Sequence, residues 1–215
     1  MKQKNKLLHV RTAKTASSNV QNWCNLNKIV STDNQTWLSN YKNQLKLNDP
    51  EFNVLFTSVR NPYRRAYSQY RYLRNDTNWK KYCDPKSFKD FLEFDFTKLS
   101  HEHLQTHNTP VTYYLDKYFN KITHFIKVEK LYEDLQIICD LYDLMPPQKQ
   151  TIVYETHYYK PDMAKEFENK EIRDLCYEKY KDDFFKFDYS YDDWTDLYPE
   201  QSFLKKEKDE PTVKL

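Results

Sequence analysis

Near the start of the chain stands RTAKTASSNVQNW, Arg11 to Trp23, whose residue types suit an anion. Lys14 precedes a helix start, so its ammonium stands beside unpaired N–H groups and the positive end of a helix dipole. Thr15, Ser17 and Ser18 add hydroxyl donors, and either serine suits the helix N-cap. A second stretch, VRNPYRRAYSQY, ends a strand on Arg60 and starts a helix with Asn61 as cap and Pro62 in the first position. Ser68 follows about two turns on, so a guanidinium and a hydroxyl converge on one phosphate if that helix crosses the strand end. By position alone, Arg64 and Arg65 read as surface cations. A third stretch, SHEHLQTHNTP, offers His101, His103 and His107, and a neutral imidazole takes a hydroxyl proton near neutral pH. Read as a loop, it leaves open which of the three serves. His124 reads as structural.

The 215 residues include no glycine. A loop that wraps a phosphate needs it, because a missing side chain lets the backbone close in. G-x-x-x-x-G-K-[ST] is absent, so the first turn is not a Walker loop. An anion met from outside by a lysine, hydroxyls and a helix N-terminus needs no such wrap. Left-handed backbone positions are expected to fall to Asn or Asp.

Lys and Arg number 34 against 32 Asp and Glu, which excludes a bulk electrostatic grip on nucleic acid and makes any anion site local. Cys24, Cys83, Cys139 and Cys176 lack C-x-x-C spacing and are expected as free thiols. The paired acids Asp182, Asp183, Asp192 and Asp193 read as solvated, and no metal is required. MKQKNKLLHV is too short in its apolar run for a signal peptide or anchor, so the chain is expected to be soluble and cytoplasmic.

These side chains need elements to position them. KLLHV and Asn53 to Arg60 read as strands, and KITHFIKVEKL as a third, with Ile122, His124, Ile126 and Val128 on one face. Helices are expected after each anion turn, after Asp84 and Pro85, through Leu135, Ile138, Cys139 and Tyr142, and through EIRDLCYEKYKDDFFKF. Strands separated by helices give an α/β, three-layer fold with a central parallel sheet, and ligands sit beyond the carboxyl ends of such strands. One domain over 1–198 is expected, followed by a flexible polar tail over 199–215. Aromatics within Thr106 to Tyr118 and Thr151 to Tyr159 are candidate sugar platforms.

RTAKTASSNV resembles the 5′-phosphosulfate loop, and R-N-P-Y-x-R-x-x-S the 3′-phosphate motif, of carbohydrate sulfotransferases that use 3′-phosphoadenosine 5′-phosphosulfate (PAPS), including the uronyl 2-O and related Golgi types. FIKVEKLYEDL is similar to the family's E-x-L-x-x-D-L element through Glu129, Leu131, Asp134 and Leu135, and YEKYKDDFFKFDYS to its closing helix. The resemblance implies a P-loop-NTPase-like fold and sulfuryl transfer from PAPS to a carbohydrate or polysaccharide hydroxyl. It implies that Lys14 steadies the leaving phosphate and that Thr15, Ala16, Ser17, Ser18 and Asn19 surround it, with Asn19 replacing a hydroxyl-bearing residue. Arg60 and Ser68 match the 3′-phosphate ligands, and Arg11 a basic residue directed at the sulfate or acceptor. His103 fits the family's H-x-x-P-Q segment best, with Thr106 at the proline and His107 at the glutamine. Relatives of this type work in the Golgi lumen behind an anchor, so a trimmed catalytic domain is the alternative to a soluble bacterial or viral enzyme. A P-loop kinase relative and a non-catalytic nucleotide- or glycan-binding protein are the rival functions.

Overall fold

A computed structural model of the chain describes residues 5–32, 41–76, 78, 80–147 and 160–197. Thr151 to Tyr159 and the tail over 199–215 lie outside the described residues.

Val54–Val59 (β3) carries no charge and is buried along its whole length, as the central strand of a covered sheet must be. It is flanked by Leu7–His9 (β1) and His124–Lys127 (β4), and Val30–Ser31 (β2) pairs with the far side of β1. All three pairings are parallel, giving the order β2-β1-β3-β4. The three expected strands are present. The sequence gives no period for β2, because two residues are too few to show one.

Alternation along the strands separates two faces. Leu7, Val54, Phe56 and Ile126 meet the buried stripe of Ser17–Leu26 (α1) and Leu131–Tyr142 (α7). Leu8, Val10, Leu55 and Val59 meet Leu47 of Tyr41–Asn48 (α2) and Val111, Tyr114 and Leu115 of Val111–Leu115 (α6). A third cluster lies within the helices. Pro62–Asn75 (α3) turns Tyr63, Ala66, Tyr67, Tyr70 and Leu73 toward Phe88 and Phe91 of Phe88–Glu93 (α4), and toward Phe167 and Phe184. Those last two belong to Lys160–Glu168 (α8) and Lys181–Lys186 (α10), with Lys170–Lys179 (α9) between. The single closing helix expected from EIRDLCYEKYKDDFFKF is thus two, α9 and α10, meeting at buried Tyr180.

Several local expectations are corrected. The α4 cap is Ser87, not Asp84, because Ser87 and Asp90 close a reciprocal capping box. The histidine stretch is not a loop: Glu102–Asn108 is a helix (α5), which places His103 and His107 one turn apart. Tyr114 and Tyr118 are core residues, which removes them as sugar platforms and leaves exposed Tyr113. Asp183 is 1% exposed, and its carboxylate accepts the N–H groups of Val111 and Thr112 and the Thr112 hydroxyl at 2.8 Å, closing the N-terminus of α6. Left-handed positions fall to Asp116, Asp143 and Asp188 as expected, but also to Lys14, Ala16 and Lys28.

Glycine's absence is also managed at the end of α4. The Lys179 ammonium donates to the carbonyls of Leu92 and Phe94, both at 2.8 Å, and burial lowers its pKa to about 8. The four cysteines are buried and free.

Burial of His9 carries a pH consequence. Its ring stacks on Phe56, Nδ1 lies 3.2 Å from the Ser31 hydroxyl, and burial, then the Arg11 charge, lowers its pKa from 6.5 to about 3. Between those values the unfolded chain binds the extra proton, so stability falls with acidification, by about 1.4 kcal/mol per pH unit for this one group. Thermal melts from pH 7 to 4 are expected to show that slope, reduced by one proton's worth in His9→Gln; an unchanged slope contradicts it.

Candidate active site

The chain leaves β1 for β2 on one side and returns to β3 on the other, so the strand order reverses between β1 and β3. In open α/β sheets a crevice opens at that point, beyond the carboxyl ends of the strands. Both anion turns begin there: residues 10–16 follow β1, and Arg60 follows β3.

The first turn is shaped without glycine. Lys14 and Ala16 have φ of 62° and 54°, a left-handed conformation costing roughly 1–2 kcal/mol per non-glycine residue. Hydroxyls beneath hold it there. Thr12 Oγ1 donates to the Ser58 carbonyl at 2.6 Å and lies 2.7 Å from Thr15 Oγ1, which is itself 3.0 Å from Ser58 Oγ. Thr15 is 0% exposed, so it supports the turn from below and does not present its hydroxyl to an anion. Ala16, rather than Ser17 or Ser18, is the N-cap of α1, leaving the helix start without a side-chain cap. Ser17 is buried in the first turn, Ser18 is exposed, and Asn19 is half-buried beside them.

Arg65 is not a surface cation. It is 1% exposed, donating from Nε to the Ala13 carbonyl at 3.1 Å and from Nη2 to the Thr109 carbonyl at 2.8 Å. Nη1 lies 3.8 Å from Asp183. One guanidinium thereby fastens the Lys14 turn to the segment after α5. Gln69 does a related job, donating to the His107 carbonyl while accepting the Tyr180 hydroxyl at 2.9 Å.

Arg60 joins the two turns. Its Nη1 reaches the Lys14 carbonyl at 3.4 Å, and its buried Nε has no hydrogen-bond partner among the described residues. Burial lowers its pKa to about 10, Glu129 opposes that shift, and Arg64 and Arg65 add to it, so Arg60 stays charged at neutral pH within a cationic group. Glu129 is fixed by accepting the Asn61 N–H at 3.0 Å and the Tyr189 hydroxyl at 2.8 Å. Asn61 caps α3 through the N–H groups of Tyr63 and Arg64. Ser68 is half-buried on α3, sharing a face with half-buried Arg64 and Arg71 at i−4 and i+3.

The Lys14 ammonium sits over the Tyr72 ring, 4.5 Å from its centroid. The Tyr72 hydroxyl lies 3.3 Å from His103 Nε2, and the His103 and His107 rings are 3.8 Å apart. Lysine, tyrosine and histidines from three separated stretches therefore form one cluster. His107 is 8% exposed, its Nδ1 lies 2.9 Å from the His103 carbonyl, and burial, then His103, lowers its pKa to about 3. That makes it a poor base at neutral pH. His101 is half-buried at the N-cap of α5, 4.8 Å from the Tyr82 ring and 6.2 Å from the His103 ring. Arg11 is turned another way: its N–H bonds Thr32, its charge bears on His9 and Cys24, and its Nε has no partner among the described residues. His124 bonds Tyr142 at 2.7 Å on the far strand.

Among the described residues no group of three or more His, Cys, Asp or Glu is placed to hold a metal, and no helix is long and apolar enough to cross a membrane. Tyr72 is hidden from sequence reasoning among 19 tyrosines, although its place one helical turn on from Ser68 is the available signal.

The structure is an α/β fold with a parallel sheet and, at its switch point, two cationic turns that each open a helix. The chain belongs to the sulfotransferase family, whose model matches residues 1–190. Nothing matches among curated proteins or among solved structures.

Proposed function

We propose that the site transfers a sulfuryl group from PAPS to a carbohydrate hydroxyl. The observation that carries this reading is the meeting of the two turns, with Arg60 Nη1 on the Lys14 carbonyl and beside them a buried Arg60 Nε that has no partner among the described residues. Two separated cationic positions fit a nucleotide with phosphate at both its 3′ and 5′ ends, and an orphaned buried guanidinium nitrogen fits an anion. When bound, that nucleotide supplies the sulfuryl group.

Lys14, with the opening turn of α1 and residues Ser17, Ser18 and Asn19, holds the 5′ end. It steadies the charge gathering on the departing phosphate, an electrostatic effect of roughly 3–4 kcal/mol per well-placed donor. Arg60 and Ser68 hold the 3′-phosphate. His103 removes the proton from the acceptor hydroxyl; His107 is set aside as base because it is buried, and His101 packs on Tyr82 at the N-cap of α5. Arg11 is given no contact. The Tyr82, His101 and His103 rings form an aromatic row leading to the base, a surface on which a sugar face stacks.

Lys14→Ala is expected to bind adenosine 3′,5′-bisphosphate several-fold more weakly by calorimetry, and to slow transfer from labelled PAPS about 10²–10³-fold. Transfer by Lys14→Ala at the wild-type rate removes Lys14 from the mechanism.

A further inference from the structure

We infer that Tyr72 is a positioning residue that couples Lys14 to His103, its ring holding the ammonium and its hydroxyl holding the imidazole. This rests on the sulfuryl-transfer reading for its role in turnover, while the coupling itself is a property of the chain alone. Tyr72 lies on α3 next to the buried ridge of Leu73 and Tyr70, so its backbone is set by the rigid helical core. Its ring is 4.5 Å from Lys14 Nζ, its hydroxyl 3.3 Å from His103 Nε2, and it stacks 5.8 Å from His107 at 22°.

The chemistry of each contact gives it a direction. An ammonium over a phenol face is attracted by the ring quadrupole, so Lys14 is kept at the mouth of its turn although its backbone is strained. The coupling takes neutral His103 as the Nε2–H tautomer, in which the phenol oxygen accepts from Nε2–H and Nδ1 is left to take the proton; that bond strengthens in the imidazolium. Tyr72 from α3 and His101 and His107 from its own helix face His103, while Lys14 from the β1 turn and Arg65 bear on His107. Cations near this pair of imidazoles disfavour imidazolium, and the Tyr72 oxygen, as an acceptor, favours it.

The test uses the full chain with Tyr72→Phe and Tyr72→Leu. Proton NMR of the His103 ring, assigned by its loss in His103→Gln, reads the coupling with no nucleotide present. Tyr72→Phe is expected to lower the His103 midpoint by about half to one pH unit, and to shift the acid limb of the transfer-rate profile equally. It keeps the ring, so bisphosphate affinity stays at the wild-type value. Tyr72→Leu is expected to lower the midpoint likewise and to weaken bisphosphate binding about twofold to fivefold. A His103 midpoint unchanged or raised in folded Tyr72→Phe overturns the inference. If the midpoint falls but wild type neither binds the bisphosphate nor transfers sulfate, the coupling stands and the proposed function fails.

Discussion

His103→Gln is expected to lower the sulfuryl-transfer rate about 10²–10⁴-fold, the range spanned by a positioned general base. Glutamine keeps the size and a polar end near the Tyr72 hydroxyl but cannot accept a proton at neutral pH. Bisphosphate affinity should stay near the wild-type value, because the nucleotide is assigned to Lys14, Arg60 and Ser68. Steady-state rates and calorimetry on the same preparation separate the two effects. His107→Gln is the control. That ring is buried, with Nδ1 on the His103 carbonyl and its pKa held near 3, so its loss acts by loosening α5 rather than by removing a base. Equal rates for His103→Gln and wild type would move the base elsewhere on the site.

Arg65→Leu is expected to cost roughly 3–5 kcal/mol of folding stability, because breaking a buried ion pair leaves the partner's charge uncompensated. The partner is Asp183, buried and 3.8 Å away. Burial raises the Asp183 pKa, while Arg65 and the N–H groups of Thr112 and Val111 oppose that shift. The substitution also frees the Ala13 and Thr109 carbonyls, which must then find other donors or stay unpaired. Arg65→Leu combined with Asp183→Asn should recover part of the loss, since asparagine removes the charge and keeps an acceptor for α6. Urea unfolding of the wild type, both single variants and the double variant gives the coupling directly. Strict additivity would show that the pair is not coupled.

What the sequence displays and what it hides divide along physical lines. The Lys14 and Arg60 turns are legible because each is local: a strand, a cation and a helix start follow one another within a few residues. Their convergence is legible too, since parallel strands separated by helices put such turns on one edge. Arg65 is not legible. A charged residue in the first turn of a helix ordinarily faces water, and only the distant Ala13 and Thr109 carbonyls with Asp183 make its burial possible. Asp183 is hidden for the same reason, looking like one of several solvated acids until α6 meets it. The helix α5 escapes because its buried positions are Leu104, Thr106, His107 and Asn108, three of them polar, so no apolar period marks it. The absence of glycine points to the left-handed positions without saying where they fall. Lys14 and Ala16 occupy two of them because the hydroxyls of Thr12, Thr15 and Ser58, with Arg65, hold the turn from beneath.

The central claim is that these converging turns serve sulfuryl transfer from PAPS. Its most direct measurement incubates the wild-type chain with PAPS carrying labelled sulfur and a panel of oligosaccharides, then follows label into the saccharide fraction. The account predicts labelled saccharide with wild type, and about 10²-fold or more less with Lys14→Ala and with His103→Gln. Bisphosphate binding with no label entering any saccharide would contradict it in favour of a binding protein of the same fold, and label transfer undiminished in both variants would place the chemistry outside this site.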